Sequence, residues 1–221
     1  SACVIKCPDS WKANFETDAI AQYCDIVPTL IDAAGGTPSA DLDGKSLLPL
    51  LKGQTKSHRE QAYFLYNNRV KKDKPDTHFS IRAVTDGKYK FIWNLTPENL
   101  YSINITTCDL TGEVRETDFG RIYPSMIDRM ETDPHAKEMV NRLRSRPQHQ
   151  LYDLQNDPYE LTNLAEKPEY SEKVTKFKAD IEGWMKQQGD DGHLDPEGMR
   201  AINVADYEFP YPPKGSKKSA K

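Results

Sequence analysis

The chain has 221 residues, with 30 Lys and Arg against 34 Asp and Glu, which gives a formal net charge of −4. This acidic balance argues against a nucleic-acid binder, because neutralising phosphates requires a basic face. No apolar run approaches the ~18 residues that a transmembrane helix needs, which excludes such a helix. Aromatic residues make up 10% of the chain, and they can feed a hydrophobic core, so disorder throughout is disfavoured.

The four cysteines are too few and too scattered for a disulfide framework. Cys3 and Cys7 lack the second pair of ligands that would complete a zinc site. We interpret Cys3, Cys7, Cys24 and Cys108 as buried or incidental thiols.

The first predicted elements are a strand and a short helix. An apolar run at residues 2–5 ends in a Cys-Pro-Asp turn and favours a strand. Apolar residues at three- and four-residue steps predict a short buried helix over residues 25–34. Asp25 is the expected N-cap, Pro28 is tolerated in the first turn, and Gly35 suits the left-handed position after the end.

The later elements alternate between strand and helix signals. An Asp86-Gly87 pair predicts a two-residue hairpin with positive φ at both positions. Asp133-Pro134 marks the start of a helix that runs to about Arg144. Strands are predicted at residues 61–66, 79–85, 88–93 and 151–154.

Residues 168–188 form the last strong element, an amphipathic helix ended by Gly189. A polar tail follows this helix, and an earlier segment, residues 95–118, has no regular pattern. The core-facing stripe of this helix consists of Val174, Phe177, Ile181, Trp184 and Met185. Together the elements predict an α+β fold, a small antiparallel sheet packed by a C-terminal amphipathic helix.

Three segments, at residues 25–51, 81–92 and 150–165, together resemble the C-terminal part of the type I sulfatases. These are the formylglycine-dependent branch of the alkaline phosphatase superfamily. The segments read Asp-Ile-Val-Pro-Thr-Leu followed by Gly-Lys-Ser-Leu-Leu-Pro-Leu-Leu, then Ile-Arg-Ala-Val-Thr-Asp-Gly-Lys-Tyr-Lys, then Leu-Tyr-Asp-Leu-Gln-Asn-Asp-Pro-Tyr-Glu-Leu-Thr-Asn-Leu. Their order and spacing agree with the family over about residues 1–188.

Trp93-Asn94-Leu95, a long insertion and then Arg146-Pro147 are most similar to heparan N-sulfatase (sulfamidase)-like members. The resemblance implies the last strand and helix of an α/β sulfatase core at residues 1–52. A C-terminal subdomain is expected at residues 53–188 and a polar tail at residues 189–221.

The family's nucleophile motif, Cys-x-Pro-x-Arg or Ser-x-Pro-x-Arg, is absent from the sequence. Pro8 follows Cys7 directly, and the residues after Cys24 lack the arginine. The family's calcium ligands also map upstream of the first matching segment. The resemblance therefore implies a C-terminal piece of a sulfatase, inactive alone and binding no cofactor, with formylglycine and calcium in the full-length parent.

The expected partners are the N-terminal sulfatase domain and a sulfated glycan substrate. No signal peptide is visible in the sequence, and on this resemblance we interpret its absence as truncation. The family implies an extracytoplasmic location, which is periplasmic, secreted or lysosomal. Two alternatives stay open: a stand-alone module that binds sulfated glycans, and part of a phosphonate or phosphate monoester hydrolase.

His78 and Arg82 are the candidate contacts to an anionic glycan. The alternative is that Arg82 pairs with a structural carboxylate and His78 is an ordinary loop residue. The segment from His58 to Glu60 could also face the cleft, although a solvated loop is the alternative there. Asn94 and Asn104 match the N-glycosylation pattern.

Overall fold

The computed structural model of the chain describes residues 3–6, 11, 14–69, 78–103, 105–106, 108–113, 118–192 and 208. Its centre is a four-stranded antiparallel sheet in the order β1-β2-β3-β4. The strands are β1 (Ala62–Arg69), β2 (His78–Thr85), β3 (Tyr89–Asn94) and β4 (His149–Asp153). The predicted α+β class is therefore confirmed.

Six α-helices lie within the described residues. They are α1 (Ile26–Ala33), α2 (Leu48–Leu51), α3 (Cys108–Thr111), α4 (Asp118–Ile127), α5 (Pro134–Arg144) and α6 (Ser171–Gln188). None of these helices has the length and apolar character that crossing a membrane requires.

Helix α6 covers one face of the sheet, and the predicted stripe forms the main core. Phe177, Ile181 and Met185 are buried against Val84, Phe91 and Leu151. The Trp184 ring stacks on Tyr63 of β1, with ring centroids 5.3 Å apart. Each large apolar side chain buried here stabilises the fold by about 1.5–3 kcal/mol.

The segment between β3 and β4 contains a second, smaller core. Helices α3, α4 and α5 bury Cys108, Tyr123, Ile127 and Val140 together. Helix α5 begins as predicted, because Asp133 Oδ1 accepts hydrogen bonds from the backbone N–H groups of His135 and Ala136. Helix α4 was not predicted.

The expected N-terminal strand and the expected two-residue hairpin are both wrong. Residues 3–6 have no regular secondary structure, so the expected strand at residues 2–5 is absent there, and Ala2 lies outside the described residues. The β2–β3 connection is longer than two residues, since Thr85 pairs with Lys90 and only Gly87 has positive φ. Asp86 Oδ1 accepts the N–H groups of Lys88 and Tyr89, which stabilises this wider turn.

Helix α1 was expected to be buried, but its apolar side is exposed in this chain. Pro28 and Thr29 are its buried residues, whereas Leu30 is 63% exposed. No element of the described residues covers that side. The predicted end is confirmed, because Gly35 has a φ of 82° after the last turn.

Candidate functional site

Arg82, a predicted glycan contact, lies in β2 on the face covered by α6 and is 1% exposed. Its Nε and Nη2 donate to the two carboxylate oxygens of Asp190, at 2.5 and 2.9 Å. Its Nη1 donates to Asn67 Oδ1 and to the Ile81 carbonyl, both at 2.9 Å. This geometry fits the structural alternative for Arg82, and a glycan contact stays a prediction.

The end of α6 sets the position of Asp190. Gly189 adopts a left-handed conformation, and the Asp190 N–H donates to the Met185 carbonyl at 2.8 Å. This Schellman-type ending turns the chain back towards β2. The hydrogen bonds from Arg82 hold the pKa of Asp190 below its usual value, although burial opposes this.

His78, the other predicted contact, is the first residue of β2 and pairs with Arg69 of β1. Its side chain lies outside what the structure describes. The two predicted site residues therefore share one strand, and their proposed role is not tested by this geometry.

Asp25 lies at the centre of a buried polar cluster and does not cap α1 as predicted. Its carboxylate accepts the backbone N–H groups of Gln22 and Lys45, each at 2.8 Å. Arg59 Nε donates to both oxygens at 2.9 and 3.1 Å, and His58 Nε2 lies 3.1 Å from Oδ2. Burial would raise the pKa of Asp25, but these hydrogen bonds hold it far below its usual value.

The same cluster corrects the expectation of a solvated loop for His58 and Arg59, whereas Glu60 is exposed. The His58 and Arg59 side chains are largely buried against Asp25, which is 34 residues away in sequence from Arg59. The Arg59 guanidinium donates to this carboxylate and so holds α1 to the segment before β1.

The first family segment is held together by further contacts of this kind. Thr29 Oγ1 accepts the Leu47 N–H at 2.7 Å, and Ser46 Oγ donates to Asp32 at 2.6 Å. A Cβ at Gly44 would lie 1.9 Å from the Cys24 carbonyl oxygen, so only glycine fits there. These motif residues therefore join α1 to the Gly-Lys-Ser-Leu-Leu loop.

The polar residues of the third family segment bind backbone groups. Asp157 accepts the N–H groups of Leu161 and Thr162 at 3.0 and 2.7 Å. Asn163 accepts the Leu151 N–H at 2.9 Å and donates to the His149 carbonyl at 3.1 Å. The segment after β4 is thus fixed against the strand by side chains, which explains the residue types of this motif.

Sequence reasoning missed a buried polar triad between α3, α4 and α5. Tyr123 Oη donates to Asp109 Oδ2 at 2.5 Å, and Arg144 Nη2 donates to Asp109 Oδ1 at 2.7 Å. Burial, together with the Asp109 charge, raises the pKa of Tyr123 strongly. No sequence signal pointed to this triad, because α4 itself lacked a recognisable pattern and contains Pro124.

Asn94 cannot accept a glycan in this fold. It is fully buried, and its Nδ2 donates to Gln150 Oε1 at 3.0 Å and to the Pro147 carbonyl at 2.5 Å. Asn104, the other match to the pattern, lies outside the described residues.

The residues that the structure describes do not form a metal centre. No three of their His, Cys, Asp and Glu side chains come together as a possible ligand group. The buried carboxylates of Asp25, Asp109 and Asp190 are instead each paired with an arginine. The described residues therefore do not fit the calcium that the family resemblance implies for the full-length parent.

Comparison with known proteins gives the family. A family model described as N-sulphoglucosamine sulphohydrolase, C-terminal, matches residues 2–146. An ulvan-active sulfatase of Formosa agariphila is 34% identical over 188 residues, which are 85% of this chain and 33% of that protein. An N-acetylglucosamine-6-O-sulfatase of Bacteroides thetaiotaomicron is 23% identical over 148 residues, 62% of this chain and 26% of that protein.

Among solved structures, a 2-O GAG sulfatase aligns with 85% of this chain and 30% of its own length, with a TM-score of 0.49 and 19% identity. The chain spans about a third of the length of the curated relatives it matches. The family match therefore shows that the chain belongs to the family of N-sulphoglucosamine sulphohydrolase C-terminal domains, which is a family of sulfatase C-terminal domains.

Proposed function

We propose that this chain is part of a longer sulfatase that hydrolyses sulfate esters or N-sulfates of a glycan. The family match and the 34% identity to an ulvan-active sulfatase support this. In this proposal the formylglycine nucleophile and the calcium site belong to an N-terminal domain, and the chain alone is inactive. The nucleophile motif is absent from the printed sequence, in agreement with that division.

The exposed apolar side of α1 is the observation that carries the proposal. Tyr23, in the 3-10 turn before α1, lies three and four residues from Ile26 and Val27, and these two lie four and three residues from Leu30; all four side chains are exposed. A helix with an apolar stripe gains stability only when the stripe packs against a partner. We assign this stripe to the contact with the N-terminal domain, so that residues 1–52 complete that domain and residues 53–188 form the smaller subdomain.

The stripe also favours a sulfatase part over a stand-alone glycan-binding module. A module that works alone would leave four large apolar side chains in water, at risk of aggregation. The net charge of −4 also repels polyanions except at a local basic site. We propose an extracytoplasmic location on the basis of the family.

The test uses the full-length gene product from a host that converts the nucleophile to formylglycine. We expect release of inorganic sulfate from a panel of heparin, chondroitin sulfate and ulvan oligosaccharides. Phosphate or phosphonate ester cleavage without sulfate release would favour the hydrolase alternative. A folded monomer of the 221 residues that binds these glycans by itself would favour the module.

A matched pair of tyrosines tests the role of the stripe. Tyr23 and Tyr159 are both 82% exposed in this chain, but only Tyr23 belongs to the stripe. Burying a large apolar side chain contributes about 1.5–3 kcal/mol, so Tyr23→Ser should destabilise the full-length protein by about that amount. Tyr159→Ser should leave the thermal midpoint unchanged. Equal midpoints for the two variants would show that nothing covers Tyr23.

A further inference from the structure

Arg146 is a half-buried arginine with an aromatic partner and no anionic one. Its guanidinium carbon lies 3.7 Å from the centroid of the Tyr101 ring. Its Nε is buried and has no hydrogen-bond partner. None of the ion pairs among the described residues includes Arg146.

Three other largely buried arginines contrast with Arg146. Arg59, Arg82 and Arg144 each bind an aspartate, which neutralises their charge. A guanidinium that is partly removed from water without such a partner costs free energy, and so does an unpaired N–H group. The cation–π contact with Tyr101 offsets only part of this cost. The site therefore gains most from an anion that accepts hydrogen bonds.

The surroundings of Arg146 are aromatic. Tyr101 meets the Phe79 ring edge-on, with centroids 5.1 Å apart, and lies 6.4 Å from the Tyr66 ring. Tyr66 is 42% exposed and lies beside the buried Tyr101. We call Tyr66, Tyr101 and Arg146 the aromatic–arginine cluster.

This cluster lies on the sheet face opposite α6. Tyr66 of β1 is paired with Ile81 of β2, and side chains alternate between the two faces along a strand. Arg82 follows Ile81, so its side chain lies on the other face, under α6. The aromatic–arginine cluster is therefore separate from the Arg82–Asp190 ion pair.

Each part of the cluster matches one feature of a sulfated sugar. A guanidinium presents its N–H groups as a planar fork that binds oxyanions through two hydrogen bonds. A tyrosine ring offers an apolar face to the C–H groups of a sugar, and its hydroxyl can donate to or accept from sugar hydroxyls. A simple inorganic anion would use only the first of these features.

We propose that the aromatic–arginine cluster binds an anionic sugar unit of the glycan. This inference rests on the proposed sulfatase function, since it names a residue set that selects the substrate. Arg146 receives the sulfate or carboxylate group, and Tyr66 packs against the ring of the same sugar.

The test measures binding and turnover by the full-length protein and its variants. Arg146→Gln removes the cation, and Arg146→Lys keeps the charge but loses the planar fork. Tyr66→Ala removes the exposed ring. Arg129→Gln is the matched control, because Arg129 is exposed between α4 and α5 and the substitution removes the same charge. The probes are heparin, chondroitin sulfate and ulvan tetrasaccharides, with 4-nitrophenyl sulfate as a substrate that contains no sugar unit.

We expect Arg146→Gln to raise the Kd and KM for the bound tetrasaccharide by about tenfold, the effect of losing one charge-assisted hydrogen bond. Arg146→Lys should recover only part of this, and Tyr66→Ala should raise KM by several fold. The kinetics on 4-nitrophenyl sulfate, the kcat values and the Arg129→Gln control should stay at wild-type level. Added salt should reduce the difference between wild type and Arg146→Gln.

Several outcomes would overturn the proposal. Wild-type KM in Arg146→Gln with intact sulfatase activity would reject the cluster and leave the proposed function standing. A lower thermal midpoint for both Arg146 variants, with unchanged KM in Tyr66→Ala, would assign the cluster to packing within the longer protein. If the protein releases no sulfate, the binding measurements alone test the cluster. Equal Kd values for wild type and Arg146→Gln, or no binding of wild type to any tetrasaccharide, would then reject it.

Discussion

Replacing Asp190 by asparagine tests whether Arg82 serves stability. The substitution keeps the shape of the side chain but removes the charge that balances a guanidinium exposed to only 1%. Breaking a buried ion pair in this way costs about 3–5 kcal/mol, because the remaining charge stays buried. Asp190 is itself 13% exposed, so water compensates in part, and we expect the low end, about 3 kcal/mol.

The assay is urea unfolding of the full-length protein, followed by tryptophan fluorescence. Trp184 stacks on Tyr63 across the interface between α6 and the sheet, so its emission reports the packing around this ion pair. The control is Lys176→Gln, which breaks the exposed Lys176–Asp180 pair on the same helix and should cost under about 0.5 kcal/mol.

The pH dependence gives an independent check. The pKa of Asp190 is lowered in the folded state, so its contribution is complete above the unfolded value of about 3.9 and is lost as the pH falls through the folded value. The gap between wild type and Asp190→Asn should therefore close in acid. A cost for Asp190→Asn no larger than that of the control would refute the reasoning and favour the predicted glycan contact as the role of Arg82.

Three further predictions concern single side chains. Burial and the Asp109 charge raise the pKa of the Cys108 thiol to about 11, so about one thiol in a thousand is ionised at pH 8. Burial and the Asp25 charge also raise the pKa of Cys24, but Cys24 is exposed, so iodoacetamide should modify it faster than the buried Cys108. Equal rates in the native protein would contradict this. Burial lowers the pKa of His149, so as the pH falls the unfolded chain binds a proton before the folded chain does. The free energy of unfolding should therefore fall as the pH drops below about 6.5. His149→Gln should remove this pH dependence, and an unchanged pH profile in that variant would contradict the prediction. Asp133→Ala removes the cap of α5 and should lower the free energy of unfolding by about 1 kcal/mol, with Asp133→Asn as the conservative control; equal stability of the two variants would show that the cap is dispensable.

Several predictions that depended only on neighbouring residues in sequence were accurate. The start of α5 is decided by Asp133 and the next three residues, and the end of α6 by Gly189, so both could be read directly. The α6 stripe followed from periodicity alone. The turn at Asp86 was misjudged because its side chain accepts two backbone N–H groups, an interaction that the Asp-Gly pair does not reveal.

The site depends on partners that are distant in sequence, which explains why it could not be predicted. Asp25 looked like a helix cap, but its strongest donor, Arg59, follows 34 residues later. Arg82 looked accessible in its strand, yet its partner is 108 residues away, beyond the end of α6. The stacking of Arg146 on Tyr101 likewise spans the α3–α5 segment, so neither residue alone signalled it.

The polypeptide leaves the sheet after β3 and returns at β4 through almost the same point. The Asn94 N–H donates to the Gln148 carbonyl at 2.8 Å, so the two ends of the intervening segment are joined directly. Within that segment the α3–α5 core is built from its own residues. Closing a loop at a fixed point costs only slightly more free energy as the loop lengthens. Loop closure therefore constrains the length of the segment only weakly, but Tyr101 within it packs edge-on against the buried Phe79 of β2. A short designed turn in its place should keep the β3–β4 register and expose that face of the sheet.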